Sequence, residues 1–152
     1  MIFRKATKND VPQIVKLLVT DKLGKLRENY NNPLPTYYYN AFDFINKDVN
    51  QELMVVENQE DPKILASFQL TFIPYLSYRG SLRAQIENVM VREDLRGQGI
   101  GKQIFEWAII RAKERKAHVL QLTSDKLRPR AIKFYKNLGF VATHEGMKLH
   151  FK

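Results

Sequence analysis

The chain has no cysteine and only three histidines, at positions 118, 144 and 150. Without cysteine there can be no disulfide, no thiolate metal ligand and no thiol nucleophile, and the cytoplasm is the expected location. So few histidines, with no thiol to join them, argue against a metal site. No stretch approaches the roughly 20 apolar residues of a membrane span. Met1-Ile2-Phe3-Arg4-Lys5 also lacks the apolar core of a secretory signal, so no membrane partner is expected. The pattern G-x-S-x-G is missing, which removes a serine hydrolase of that type. Glycine is scarce as well, at seven residues, yet three of them stand at positions 97, 99 and 101.

What is present fits an ordinary globular chain. Its 152 residues are 44% hydrophobic and 27% charged, which predicts one domain over residues 1–152. The formal charge of +9 invites a nucleic-acid reading. The cations, however, are spread from Arg4 to Lys152 and diluted by sixteen acids, with no arginine-rich arm, helix-turn-helix spacing or zinc-finger pattern. A solvated basic surface, or attraction of a ligand with several phosphate charges, accounts for the charge better than nucleic acid does.

Alternation and helical spacing predict the order β-α-α-β-β-β-α-β-α-β, an α/β pattern with a mixed sheet. The strands are expected at 2–6, 52–57, 64–73, 82–91 and 118–123, with one or two closing strands from Phe140 to His150. Helices are expected from Val11, over Tyr37–Ile45, from Ile100 to Ala112 and over Pro129–Asn137, the last stopping before Gly139. Trp107 falls off the main apolar stripe of its helix and is read as a possible subunit contact.

The strand Ile86-Glu87-Asn88-Val89-Met90-Val91 runs into Leu95-Arg96-Gly97-Gln98-Gly99-Ile100-Gly101-Lys102, at the mouth of the third helix. A helix N-terminus leaves backbone N–H groups free and carries partial positive charge, and glycines let a bulky anion approach the main chain. This turn therefore suits a phosphate or pyrophosphate. Two familiar phosphate loops fail on spacing. A Walker A loop needs glycine where Arg96 stands and Ser or Thr where Gln103 stands. A dinucleotide fingerprint needs a third glycine where Lys102 stands, and a carboxylate near position 120 where Val119, Leu120, Gln121 and Leu122 stand.

The remaining pattern, Arg96-x-x-Gly99-x-Gly101 after a strand, resembles the acyl-CoA pyrophosphate loop of the GNAT N-acetyltransferase superfamily. A second block, Ala131-Ile132-Lys133-Phe134-Tyr135-Lys136-Asn137-Leu138-Gly139-Phe140, is similar to that family's A-x-x-F-Y-x-x-L-G-F segment. The resemblance implies a GNAT-like α/β fold, a mixed but mostly antiparallel central sheet flanked by about four helices. It implies acetyl-CoA as co-substrate and an amine acceptor, more often a small molecule than a protein, with direct transfer in a ternary complex. Val89, Met90 and Val91 would pair with the pantetheine arm. Arg96, Gly97, Gln98, Gly99, Ile100, Gly101 and Lys102 would enclose the pyrophosphate.

The resemblance also implies that Tyr135 is the general acid; the plainer alternative is a packed helix tyrosine. Glu87, placed by alternation on one face with Val89 and Val91, is implied as general base; the alternative is a structural carboxylate paired with Arg83 or Lys102. Arg128 stands where the family often has asparagine. Tyr37-Tyr38-Tyr39, with Phe72, Pro74 and Tyr75 opposite, is expected to wall an acceptor pocket or simply to cover the sheet. A homodimer is expected from relatives, and a non-catalytic acyl-CoA sensor is the alternative function.

Overall fold

The structure, a computed structural model, describes residues 1–21 and 24–151. The regular elements are β1 (Ile2–Lys5), α1 (Val11–Val19), α2 (Thr36–Lys47), β2 (Gln51–Asn58), β3 (Asp61–Pro74), β4 (Leu82–Val91), α3 (Ile100–Glu114), β5 (Ala117–Gln121) and α4 (Pro129–Asn137). The strands lie in the order β1-β2-β3-β4-β5. The first four pair antiparallel and β5 joins β4 parallel. Between β3 and β4, Ser77–Gly80 makes a short turn in which Tyr78 and Arg79 take the left-handed φ values 50° and 61°. The mixed, mostly antiparallel sheet with its helices is the architecture the sequence implied. None of the helices is long and apolar enough to cross a membrane among the described residues.

Each face of the sheet has its own core. On one face, Val11, Ile14, Val15 and Leu17 of α1 and Phe42 of α2 pack on Val55 and Ile64. On the other, Ile100, Ile104, Phe105, Ala108 and Ala112 of α3 cover Met54, Val56, Ala66, Phe68, Leu70, Phe72, Ala84 and Ile86. The apolar residues of each helix recur at three- and four-residue spacing, which is why each helix buries one stripe. Trp107, off that stripe, is not left for a partner. It stacks on Phe3 at 5.5 Å and meets Phe68 edge-on at 5.6 Å, which fixes α3 to β1 within the same chain.

Three departures from the sequence reading matter for the site. First, β4 contains a bulge. Gln69 opposes Glu87 and Ser67 opposes Met90, so one residue of β3 faces two of β4, and Asn88 takes φ 52°. Alternation is reset there. Glu87 therefore shares a face with Met90, on the side of α1 and α2, whereas Val89 and Val91 pack into the α3 core. The expectation that Glu87, Val89 and Val91 share a face is corrected.

Second, the parallel β4–β5 pairing ends at Gln85 and Gln121, although β4 runs on to Val91. Beyond Gln85 the edge of β4 away from β3 has no strand beside it among the described residues.

Third, the closing strands are not formed. Residues 140–151 carry no strand, and Val141, Met147, Leu149 and Phe151 are 78%, 90%, 81% and 90% exposed. The alternation at Met147, Leu149 and Phe151 is strand-like, but here the segment pairs with no strand among the described residues.

The α3 face also holds a buried carboxylate. Glu52, 2% exposed, accepts hydrogen bonds from Arg111 at 2.7 Å and Arg115 at 3.1 Å. Burial pushes its carboxyl upward, but the Arg111 bond and charge outweigh this and hold it below the ordinary glutamate range. Arg111→Met leaves that carboxylate with Arg115 alone and is expected to cost about 3 kcal/mol in urea-denaturation measurements. Because the folded carboxyl titrates below the unfolded one, its contribution is complete above about pH 5 and is lost as acid titrates the folded form. The gap between wild type and variant should therefore narrow in acid.

Candidate active site

The loop between β4 and α3 is built by two left-handed residues. Gly97 has φ 81° and Gly99, which caps α3, has φ 85°. No other residue type adopts these angles without strain, and a Cβ at either glycine would meet nothing within 4 Å. The constraint is thus the backbone conformation rather than crowding. Within this turn Arg96 N–H donates to the Glu93 carbonyl and Gln98 N–H to Leu95. The N–H groups of Gly97, Gly99, Ile100, Gly101 and Lys102 donate to no acceptor among the described residues. They stand at the positive end of a 15-residue helix.

Side chains brace the turn from outside. Arg92 was not singled out from the sequence, yet its guanidinium bonds Asp61 at 2.7 Å and both oxygens of Asp94, at 2.7 and 3.0 Å. This ties the loop to the β2–β3 hairpin. The only sequence signal was a cation directly after the strand. Arg96 folds back to the Val91 carbonyl at 3.3 Å and reaches Thr20 at the end of α1 at 3.4 Å. Lys102 is exposed, 3.7 Å from Glu106. Arg128, at the start of α4, pairs with Asp21 at 2.5 Å, so this arginine spans α4 and the end of α1 rather than standing free in solvent.

The second block forms α4 and its C-terminal cap. Gly139 takes φ 92°, its N–H donates to the Lys136 carbonyl, and the Phe140 N–H donates to Tyr135. This is a Schellman cap, whose usual apolar contact is made here by Phe140 against Tyr135 at 6.3 Å. The cap fixes the tyrosine ring, which also packs on Phe105 at 5.4 Å. The Tyr135 hydroxyl has no hydrogen-bond partner among the described residues. Burial pushes its titration above the ordinary tyrosine value, against a smaller opposing pull from Arg128, so at neutral pH it carries its proton.

Tyr135 belongs to the α3 core face and Glu87 to the opposite face, with the open edge of β4 between them. Glu87 is exposed and pairs with neither Arg83 nor Lys102. Beside it across the sheet lies a polar belt, with Gln69 and Thr71 both donating to Gln51 and Gln121 donating to Gln85. Of the expected pocket walls, Phe72 is corrected: it is 1% exposed within the α3 core, beneath the Arg115 guanidinium. Tyr75 is bonded to His118, and Tyr38 holds the Asn29 N–H at 2.9 Å. His144 is exposed and contacts its neighbour Thr143. Among the described residues no group of His, Asp or Glu could hold a metal ion.

A family model described as the acetyltransferase (GNAT) family matches residues 18–140. The chain is similar over 99% of both chains to the crystal structure of a transcriptional regulator from Bacillus halodurans C-125, at 53% identity and a TM-score of 0.94. It also superimposes on a predicted acetyltransferase from Clostridium acetobutylicum solved with acetyl-CoA, at 24% identity and a TM-score of 0.73, over 98% of this chain and 95% of that one. An uncharacterized N-acetyltransferase of Methanocaldococcus jannaschii is 28% identical over 137 residues, 90% of this chain and 59% of that protein. The chain spans 36% and 59% of the lengths of the two curated relatives it matches.

Gly139→Ala is expected to destabilise the chain by about 1–2 kcal/mol, the cost of a left-handed residue with a Cβ. Its measured effect on thermal melting should be accompanied by changed fluorescence of the Tyr135 environment. An unchanged melting temperature would show that the cap does not hold the ring.

Proposed function

Since the chain belongs to the acetyltransferase (GNAT) family, we propose that it transfers an acetyl group from acetyl-CoA to a primary amine, a small molecule rather than a protein. The observation that carries the reading is the set of five uncommitted amides, of Gly97, Gly99, Ile100, Gly101 and Lys102, at the start of α3. These amides, with Arg96 and Lys102, would take the pyrophosphate. The chemistry of the donor set fits a diphosphate: several main-chain N–H groups at a helix N-terminus, with the cations Arg96 and Lys102 on the same turn. The acetyl-CoA in the C. acetobutylicum neighbour supports the same co-substrate.

The pantetheine arm would lie along the free edge of β4, bonding the main chain of Val89, Met90 and Val91 where β5 has parted from it. The thioester then sits between the two faces of the sheet. On one side Glu87, through water or directly, takes a proton from the amine. The amine nitrogen attacks the thioester carbonyl, the C–S bond breaks, and the departing thiolate takes the Tyr135 proton. A tyrosine kept protonated by burial is suited to that donation, and a solvent-facing carboxylate to the first. With no cysteine in the chain, an acetyl-cysteine intermediate is excluded.

A non-catalytic acyl-CoA sensor is the second reading, favoured by the name of the B. halodurans relative. The cysteine-free composition supports a cytoplasmic setting for either. Calorimetry separates them from failure of both: acetyl-CoA should bind the wild type saturably, and Gly99→Asp, which sets a carboxylate on a strained backbone in the cradle, should abolish binding. Tyr135→Phe should keep binding but lower kcat by roughly 10²–10⁴-fold. Binding without turnover on any amine would favour the sensor, and no binding would end both readings.

We also propose a homodimer by strand exchange. Among the described residues β5 has a neighbour on one edge only, and the alternating segment Met147-Lys148-Leu149-His150-Phe151 is unpaired. Two copies that each lend this segment to the other's β5 would satisfy both with a closed two-fold arrangement. Light scattering should give twice the chain mass, and Leu149→Lys should return it to the monomer. A monomeric wild type would refute the exchange.

A further inference from the structure

Six arginines are half-buried, at positions 4, 83, 92, 111, 115 and 128. Five of them meet a carboxylate: Arg4 has Asp10 and Glu57, Arg92 has Asp61 and Asp94, Arg111 and Arg115 share Glu52, and Arg128 has Asp21. Arg83 alone has no carboxylate within ion-pair distance and no side-chain hydrogen bond among the described residues. Its Nε is buried and unpartnered, and its guanidinium rests on the Tyr75 ring at 5.1 Å. His118 bonds the Tyr75 hydroxyl and so steadies that ring. A desolvated guanidinium N–H with no acceptor is unfavourable, and native structures retain such a group rarely.

The place of Arg83 gives the vacancy a meaning. The β3–β4 register runs without a break from Ile73 and Arg83 to Gln69 and Glu87, so Arg83, Gln85 and Glu87 share one face. It is the face of the polar belt, where Gln85 holds Gln121 and Thr71 and Gln69 hold Gln51. Those neighbours are neutral. One cation and one carboxylate therefore stand at the two ends of an amide-lined strip, their Cα atoms roughly 13 Å apart at four strand steps. Long side chains at both ends shorten the span between the charged tips.

We propose that Arg83 binds an anionic group, carboxylate or phosphate, of the acceptor, carried several bonds from the amine that Glu87 serves. This rests on the N-acetyltransferase reading of the same site. A planar guanidinium matches both anions through paired N–H donors, and the ring beneath it leaves its edge for the ligand. Arg83 is in this account a specificity-determining residue and takes no part in the proton transfers.

The test uses three matched acceptors over a range of chain lengths: an amino carboxylate, an aminoalkyl phosphate and the corresponding amino alcohol. Thiol release from acetyl-CoA gives kcat/KM for each. The wild type should favour at least one anionic member over the alcohol by roughly ten- to a hundredfold. The carboxylate and phosphate arms identify which anion. Arg83→Gln should erase that advantage while leaving the alcohol rate and the acetyl-CoA Kd unchanged, and Arg83→Lys should restore part of it. Equal rates for all three acceptors in the wild type, or an undiminished preference in Arg83→Gln, would overturn the proposal. A lowered melting temperature with the preference intact would show a structural role only, and overturn it too. Should acetyl-CoA bind but no amine turn over, the transferase reading fails by itself. Arg83 is then judged by calorimetric titration of the same three amines into the CoA-saturated protein, where anion-selective binding lost in Arg83→Gln supports the site and its absence refutes it.

Discussion

Five amides between Gly97 and Lys102 make no hydrogen bond among the described residues, and much of the surrounding structure serves to keep them that way. A flexible loop would fold such donors onto nearby carbonyls. This one cannot, because Gly97 and Gly99 are both left-handed and the turn is held at three points. Arg92 clamps it to Asp61 and Asp94, Arg96 ties it to Val91 and Thr20, and α3 continues it as a buried helix. Binding an anion there then costs little ordering, since the donors are already arranged.

The same economy governs the sheet. The bulge at Asn88 and the end of β4–β5 pairing at Gln85 and Gln121 lie within a few residues of one another. Together they bare one edge of β4 and set Val89 and Val91 on the face opposite Glu87. Without the bulge, Val89 and Val91 would fall on the face of Glu87 and leave the α3 core unfilled. With it, the charge faces solvent and the polar belt, and Val89 and Val91 keep the core filled. Tyr135 is held on the α3 face, where the Schellman cap at Gly139 presses Phe140 against it.

Much of this was legible in the sequence, and what was not has physical reasons. Gly139 was readable because a residue just past a helix end favours glycine; Gly97 and Gly99 were read as room for an anion, and the structure adds that both have positive φ. The span of α4 was readable from Pro129 at its first turn and Gly139 beyond its end. The shared face of Glu87, Val89 and Val91 was misread because strict alternation was assumed through Asn88, a residue type that tolerates the left-handed φ of 52° it takes in the bulge. The closing strands were misread because alternation reports a face to be covered but not who covers it. Phe72 was assigned to a pocket wall by its neighbourhood to Tyr75, when period-two alternation already set it on the other face. The pairing of Arg92 with Asp61, and the solitude of Arg83, depend on contacts across 31 residues or more and across neighbouring strands. Local pattern does not encode them.

The account stands or falls on where the diphosphate goes. Titration of the isotope-labelled protein with coenzyme A, followed by amide nuclear magnetic resonance, tests this directly. The account predicts that the N–H resonances of Gly97, Gly99, Ile100, Gly101 and Lys102 shift together and saturate at one affinity, with exchange of those amides slowed in the complex. Saturable binding that leaves these five resonances unmoved, with its shifts centred elsewhere in the chain, would contradict it.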